Sequence, residues 1–121
     1  MRFTLVDRIL EIQPGQEITA VKNLSLAEEY LADHFPLFPV LPGVLMLEAM
    51  TQAGAWLVRH DEDFAHSIVV LKEARNIKYA DFVEPGFQLV VNAKQIKQDA
   101  NTTTFKTIGS VDGKTHVSAR L

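Results

Sequence analysis

The chain reads as an α+β domain in which a curved antiparallel sheet wraps around one long central helix. Two observations predict this. One stretch, from Gly43 or Val44 to about Arg59, is apolar on most sides and broken only by Glu48, Thr51 and Gln52, as expected of a helix buried on all sides. On either side of it the chain turns to β-patterned runs punctuated by Pro-Gly and Asp-Gly pairs. At 121 residues, 47% of them hydrophobic, the chain can bury one core but not two, so residues 1–121 are expected to form a single domain.

Taken in order, Thr4 to Ile12 is rich in Leu, Ile and Val and reads as a strand. Pro14-Gly15 supplies a turn, because Pro presets φ for the second turn position and Gly accepts a positive φ after it. Glu17 to Leu24 then completes a hairpin. Ser25, followed three residues later by Glu28, has capping-box spacing and predicts short helical structure over Ser25 to Ala32. Pro36, Pro39 and Pro42 hold the next segment extended. Phe35, Leu37, Phe38, Val40 and Leu41 fill the gaps between them with bulk that favours burial over an exposed PxxP ligand. Beyond the helix, strands are expected at Ser67 to Leu71, Arg75 to Tyr79, Gln88 to Gln95, Thr102 to Val111 and Thr115 to Leu121. Pro85-Gly86 marks a turn and Asp112-Gly113 a tight hairpin. The run GSVDGKT is one residue short of a phosphate-binding loop between its glycines and lacks a following helix, so a hairpin explains it better. A sheet with open edges and one very apolar helix favours self-association, most simply as a twofold dimer.

Several function classes fall away. A net charge of −3 argues against nucleic acid as partner. Lys72, Arg75 and Lys78 cluster and could receive an acidic protein, although a solvated face is the commoner meaning of such a cluster. The chain has no cysteine, and its first residues lack a secretory pattern, which makes a cytoplasmic address the expectation. No apolar run reaches the roughly 18 to 20 residues of a membrane span. There is no HExxH or other zinc spacing, no GxSxG elbow and no dinucleotide fingerprint, so neither metal nor cofactor is expected.

What remains is chemistry at the helix start. Leu41, Pro42 and Gly43 offer no Ser, Thr, Asp or Asn to cap the first amides of the helix, which leaves Gly43 and Val44 N–H groups for a ligand oxygen such as a polarised carbonyl. Glu48 lies five residues on, roughly 7.5 Å along the axis, and its side chain leans back over the first turn. Gln52, one turn further, is placed to hydrogen-bond that carboxyl. So apolar a setting is expected to raise the pKa of Glu48 and make it a candidate acid. A structural carboxyl is the competing reading, with Arg59, three turns away, as the nearest cation on the helix. His34 opens the preceding loop as a candidate base; taken alone, a His beside Phe and Pro is more often structural. An acid, a base and a carbonyl-polarising helix end together suit proton abstraction beside a carbonyl with loss of a hydroxyl.

The run HFPLFPVLPGVLMLEAMTQ, from His34 to Gln52, resembles the signature of the FabZ-type 3-hydroxyacyl-acyl-carrier-protein dehydratases. LVDRILEI, PGQ and AVKNLS upstream, with VEPG, FQL and SVDGK downstream, resemble the same family, so nearly the whole chain is covered. The resemblance implies a hotdog fold, a dimer or a trimer of dimers, and an acyl carrier protein as partner. It also implies catalytic roles for His34 and Glu48 from different subunits, an oxyanion amide at Gly43 and a supporting role for Gln52. The implied reaction is dehydration of a 3-hydroxyacyl thioester to a trans-2-enoyl thioester. A hotdog thioesterase and a non-catalytic acyl-binding subunit are the alternatives. The related dehydratase/isomerase subfamily usually carries Asp at the position of Glu48. Departures from the family pattern are Asp33 where Gly is usual, Phe87 where Asp is usual, and the segment KEARNIKYADFVEP.

Overall fold

A computed structural model describes residues 4–28, 31, 39–61, 69–99 and 101–121. Six strands and one helix follow in the order β1 (Arg8–Gln13), β2 (Glu17–Asn23), α1 (Gly43–Asp61), β3 (Arg75–Tyr79), β4 (Gln88–Gln98), β5 (Thr103–Val111) and β6 (Lys114–Arg120). All neighbouring strands are antiparallel, in the spatial order β1-β2-β4-β5-β6-β3. The chain thus leaves β2 near one edge, runs along α1 across one face, and returns as β3 at the opposite edge. Register irregularities in the β1–β2, β3–β6, β4–β5 and β5–β6 pairs bend the sheet toward the helix. This is the hotdog arrangement expected from the sequence.

Alternation along the strands decides which face is the core. Ile18 and Ala20 of β2, Leu89, Val91 and Ala93 of β4, Phe105 of β5, and Val117 and Ala119 of β6 are buried against α1. From the helix they meet Met46, Ala49, Met50, Ala53 and Leu57, which recur at three- and four-residue intervals. Gly54 allows close contact here, since a Cβ on it would lie 3.2 Å from the Phe105 ring. The β5–β6 hairpin turns through Asp112 and Gly113, both at positive φ (50° and 82°), the geometry that makes Asp-Gly a strong hairpin signal.

At Gly109 the absence of a side chain is a packing requirement. An added Cβ would lie 2.6 Å from Val117 Cγ1 and 3.0 Å from Leu89 Cδ1. Gly109→Ala is therefore expected to destabilise the fold by about 1–3 kcal/mol in urea unfolding, and Val117→Ala in the same chain should cost less than the two changes summed.

Four expectations need correction. Val69–Leu71 have no regular structure, and Ser67 and Ile68 lie outside the described residues, so no strand forms over the described part of that run. Its apolar composition suits a strand, but composition alone does not supply a ladder partner, and the sheet closes at β3 without it. The first strand begins at Arg8 rather than Thr4, because the Leu5 amide is drawn to the helix instead of the ladder. The Ser25–Glu28 capping box is not made. Ser25 Oγ accepts the Ala27 amide at 3.3 Å, and the Glu28 carboxylate takes the buried Lys22 ammonium at 2.8 Å, with Asp7 3.5 Å away on the same cation. A buried lysine has more to gain from that carboxylate than an exposed amide has. Residues 26–27 form a turn and Leu31 a single 3₁₀ residue, while 29, 30 and 32 are not described. Finally, α1 is not enclosed on all sides within one chain: Val44 is 69% and Trp56 40% exposed.

Candidate active site

The N-terminus of α1 starts as the sequence predicts. Pro42 carbonyl oxygen accepts the amides of Leu45 at 2.9 Å and Met46 at 3.2 Å, which closes the first turn. The Gly43 and Val44 amides precede that turn, donate to no other described residue, and have no acidic side chain in the first turn to answer them. Gly43 is half-buried and Val44 exposed.

Glu48 is half-buried on the same helix, and the Gln52 amide nitrogen donates to its Oε1 at 3.2 Å. Gln52 is oriented in turn by the chain's N-terminal segment, where the Leu5 amide donates to Gln52 Oε1 at 2.7 Å. With its oxygen committed to Leu5, the Gln52 side chain presents its NH₂ to the carboxyl of Glu48. Leu5 is itself buried in the core, so the orientation of Gln52 is tied to the packing of the sheet. Glu48 and Gln52 thus stand together as the spacing predicts, Glu48 one turn past Val44 and Gln52 one turn further. His34 lies outside the described residues, as does Asp33.

Two neighbours of this site are not foreseen from the sequence. One is the Leu5 amide, a backbone group invisible to a side-chain motif. The other is Tyr79 at the end of β3, whose ring lies over Gly43 so closely that a Cβ there would meet Cε1 at 3.1 Å. Its contact with Gly43 depends on β3 returning at the far edge of the sheet, which no local signal encodes. Among the described residues no group of three or more His, Cys, Asp or Glu could hold a metal ion. Among the described residues no helix is long and apolar enough to cross a membrane.

Comparison with known proteins agrees with this architecture. The FabA-like domain family matches residues 1–120. The 3-hydroxyacyl-acyl-carrier-protein dehydratase FabZ of Lactococcus lactis subsp. cremoris is 41% identical over 112 residues, which cover 93% of this chain and 77% of that protein. The FabZ dehydratase of Oceanobacillus iheyensis is 38% identical over 119 residues, covering 98% and 85%. Among solved structures, the dehydratase heterocomplex ApeI:P from Xenorhabdus doucetiae superposes with a TM-score of 0.77 at 21% identity, covering 98% of this chain and 80% of that one, a likeness of fold. The chain belongs to the FabA-like family, among the dehydratases of the FabZ type.

Proposed function

We propose that the protein is a hydro-lyase that removes water from 3-hydroxyacyl thioesters carried on an acyl carrier protein, giving trans-2-enoyl thioesters. The observation that carries the reading is the pairing of Glu48 with Gln52 behind the uncapped amides of Gly43 and Val44, in a chain of FabZ descent. His34, as neutral imidazole, takes the proton from Cα. The Cα electrons form the double bond to Cβ as the Cβ–O bond breaks, and protonated Glu48 delivers its proton to the departing hydroxyl. The Gly43 amide, with Val44 beside it at the positive end of the helix, donates to the thioester oxygen while charge builds there. Gln52 holds the Glu48 carboxyl toward the hydroxyl. The groove beside α1, whose apolar part is formed by Met50, Gly54 and Val58 of the helix and Phe105 of β5, suits the acyl chain.

Mass spectrometry of a carrier-bound 3-hydroxyacyl chain after incubation tests the reading. A product one water lighter with the thioester intact supports it; release of the acid from the carrier speaks for a thioesterase.

The active unit in this reading is a homodimer, alone or as a trimer of dimers, with His34 and Glu48 of each site on different chains. The exposed Val44 and Trp56 and the edge strand β3 are the surfaces that a second copy would cover. Mixing inactive His34→Ala and Glu48→Gln proteins under conditions of proven subunit exchange should restore activity, because each mixed dimer holds one intact site. No recovery would contradict the shared site.

A further inference from the structure

Leu5 and Gln52 stand 47 positions apart, yet the Leu5 amide lies 2.7 Å from Gln52 Oε1, closer than the 3.2 Å between Gln52 Nε2 and Glu48 Oε1. The segment that carries this amide is fixed at two points. The Leu5 side chain is buried in the core. Two residues on, the Asp7 amide donates to the Val21 carbonyl oxygen at 2.8 Å, and Asp7 Oδ2 accepts the Asn23 amide at 2.7 Å. The same oxygen lies 3.5 Å from the ammonium of Lys22, a buried side chain whose other carboxylate is that of Glu28 at 2.8 Å. This cluster has no part in the proton transfers assigned to His34 and Glu48. What it does is tie Asp7 to β2, because a buried ammonium holds on to each carboxylate that offsets its lost hydration.

The direction of the bonds matters more than their number. A backbone N–H can only donate, whereas a primary amide has an accepting end and a donating end. With the Leu5 N–H on its oxygen, Gln52 turns its NH₂ to Glu48. A neutral carboxyl accepts through its carbonyl oxygen and donates through its hydroxyl oxygen. Oε1, which receives Gln52, is therefore the carbonyl oxygen of the acid, and the proton sits on Oε2. Turned over, Gln52 would set its NH₂ against the Leu5 N–H, two donors face to face, and would aim its oxygen at Glu48, where it would take the acidic proton for itself.

We propose that the segment from Leu5 to Asp7 is a positioning strap for the dehydration: acting through Gln52, the Leu5 amide keeps the Glu48 proton on Oε2, available to the substrate hydroxyl, an inference that rests on the dehydratase reading. In the reaction the Oε2–H bond breaks as its proton passes to the hydroxyl leaving Cβ, which departs as water, while the Cα proton goes to His34. Glu48 is left as a carboxylate with the Gln52 NH₂ already facing it, so the bond that places the proton also holds the charge that remains. Leu5 itself touches no reacting atom. Its effect belongs in kcat, where the proton is delivered, and not in binding of the thioester.

The test replaces leucine 5 by its α-hydroxy analogue, which exchanges the N–H for an ester oxygen and keeps the side chain in the core. With a 3-hydroxyacyl thioester of N-acetylcysteamine as substrate, kcat should fall about tenfold with KM unchanged. In a Gln52→Ala chain the same replacement should cost nothing further, because the strap has no other route to Glu48. Where the ester protein does not fold, Asp7→Ala carries the same comparison: kcat falls in the wild-type background and not in Gln52→Ala, and Asp7→Asn, which still accepts the Asn23 amide, restores it. Wild-type kcat in the ester protein, or loss by the same factor in both backgrounds, would overturn the proposal, since the amide would then act through packing alone. If the wild type dehydrates no thioester, the dehydratase reading fails on its own. Amide hydrogen exchange then decides the strap: a Leu5 N–H protected in the wild type and released in Gln52→Ala upholds it, and equal exchange in the two removes it.

Discussion

Glu48→Gln and His34→Ala are each expected to lower the dehydration rate by at least about two orders of magnitude while leaving the unfolding midpoint near that of the wild type. The two substitutions remove opposite halves of one proton transfer. Gln at position 48 keeps the shape of the side chain and its contact with Gln52 but has no acidic proton for the departing hydroxyl, so the C–O bond would have to break toward hydroxide. Ala at position 34 removes the imidazole that accepts the Cα proton. Circular dichroism and initial rates, measured on the same preparations, separate loss of chemistry from loss of fold. Turnover near the wild-type level in either variant would remove that residue from the mechanism.

Leu57→Ala is expected to cost about 2–5 kcal/mol of stability. Leu57 is fully buried on the inward face of α1, two turns beyond Glu48 and surrounded by the core of the sheet. Truncating it takes three carbons from that core, and the cavity persists because the helix is held along its length by Met46, Met50 and Ala53. Urea unfolding should show the midpoint shifted with the slope unchanged, as for a loss of packing without a change in the denatured state. The surviving folded fraction should keep its kcat, since Leu57 touches none of the groups assigned to proton transfer. A parallel fall in kcat would mean that the position of Glu48 depends on packing this far along the helix.

Local signals carried the sequence reading furthest. Pro14-Gly15, Pro85-Gly86 and Asp112-Gly113 locate turns because each reports on the backbone of its own few residues. The missing cap at Gly43 and the four-residue step from Glu48 to Gln52 are likewise properties of one helix, and both are found. Where a residue had a choice of partners, the sequence was silent. Glu28 fits a capping box by spacing, yet the competing partner, Lys22, is brought within reach by the return of the chain through β2 and the following turn. Val69–Leu71 have strand composition but join no ladder, and the order of the sheet is not fixed by that pattern. The Leu5–Gln52 bond and the Tyr79 ring over Gly43 arise from contacts between distant segments, which appear only when the sheet is assembled. Of the five site residues named from the sequence, Gly43, Val44, Glu48 and Gln52 share one helix, and His34 lies outside the described residues.

The most direct measurement follows the wild-type protein on a 3-hydroxyacyl thioester with two readings at once, conjugated enoyl absorbance and free thiol. The proposed mechanism predicts a rise in enoyl absorbance with no thiol released. Thiol release without enoyl absorbance, or no change in either on an established carrier substrate, would contradict it.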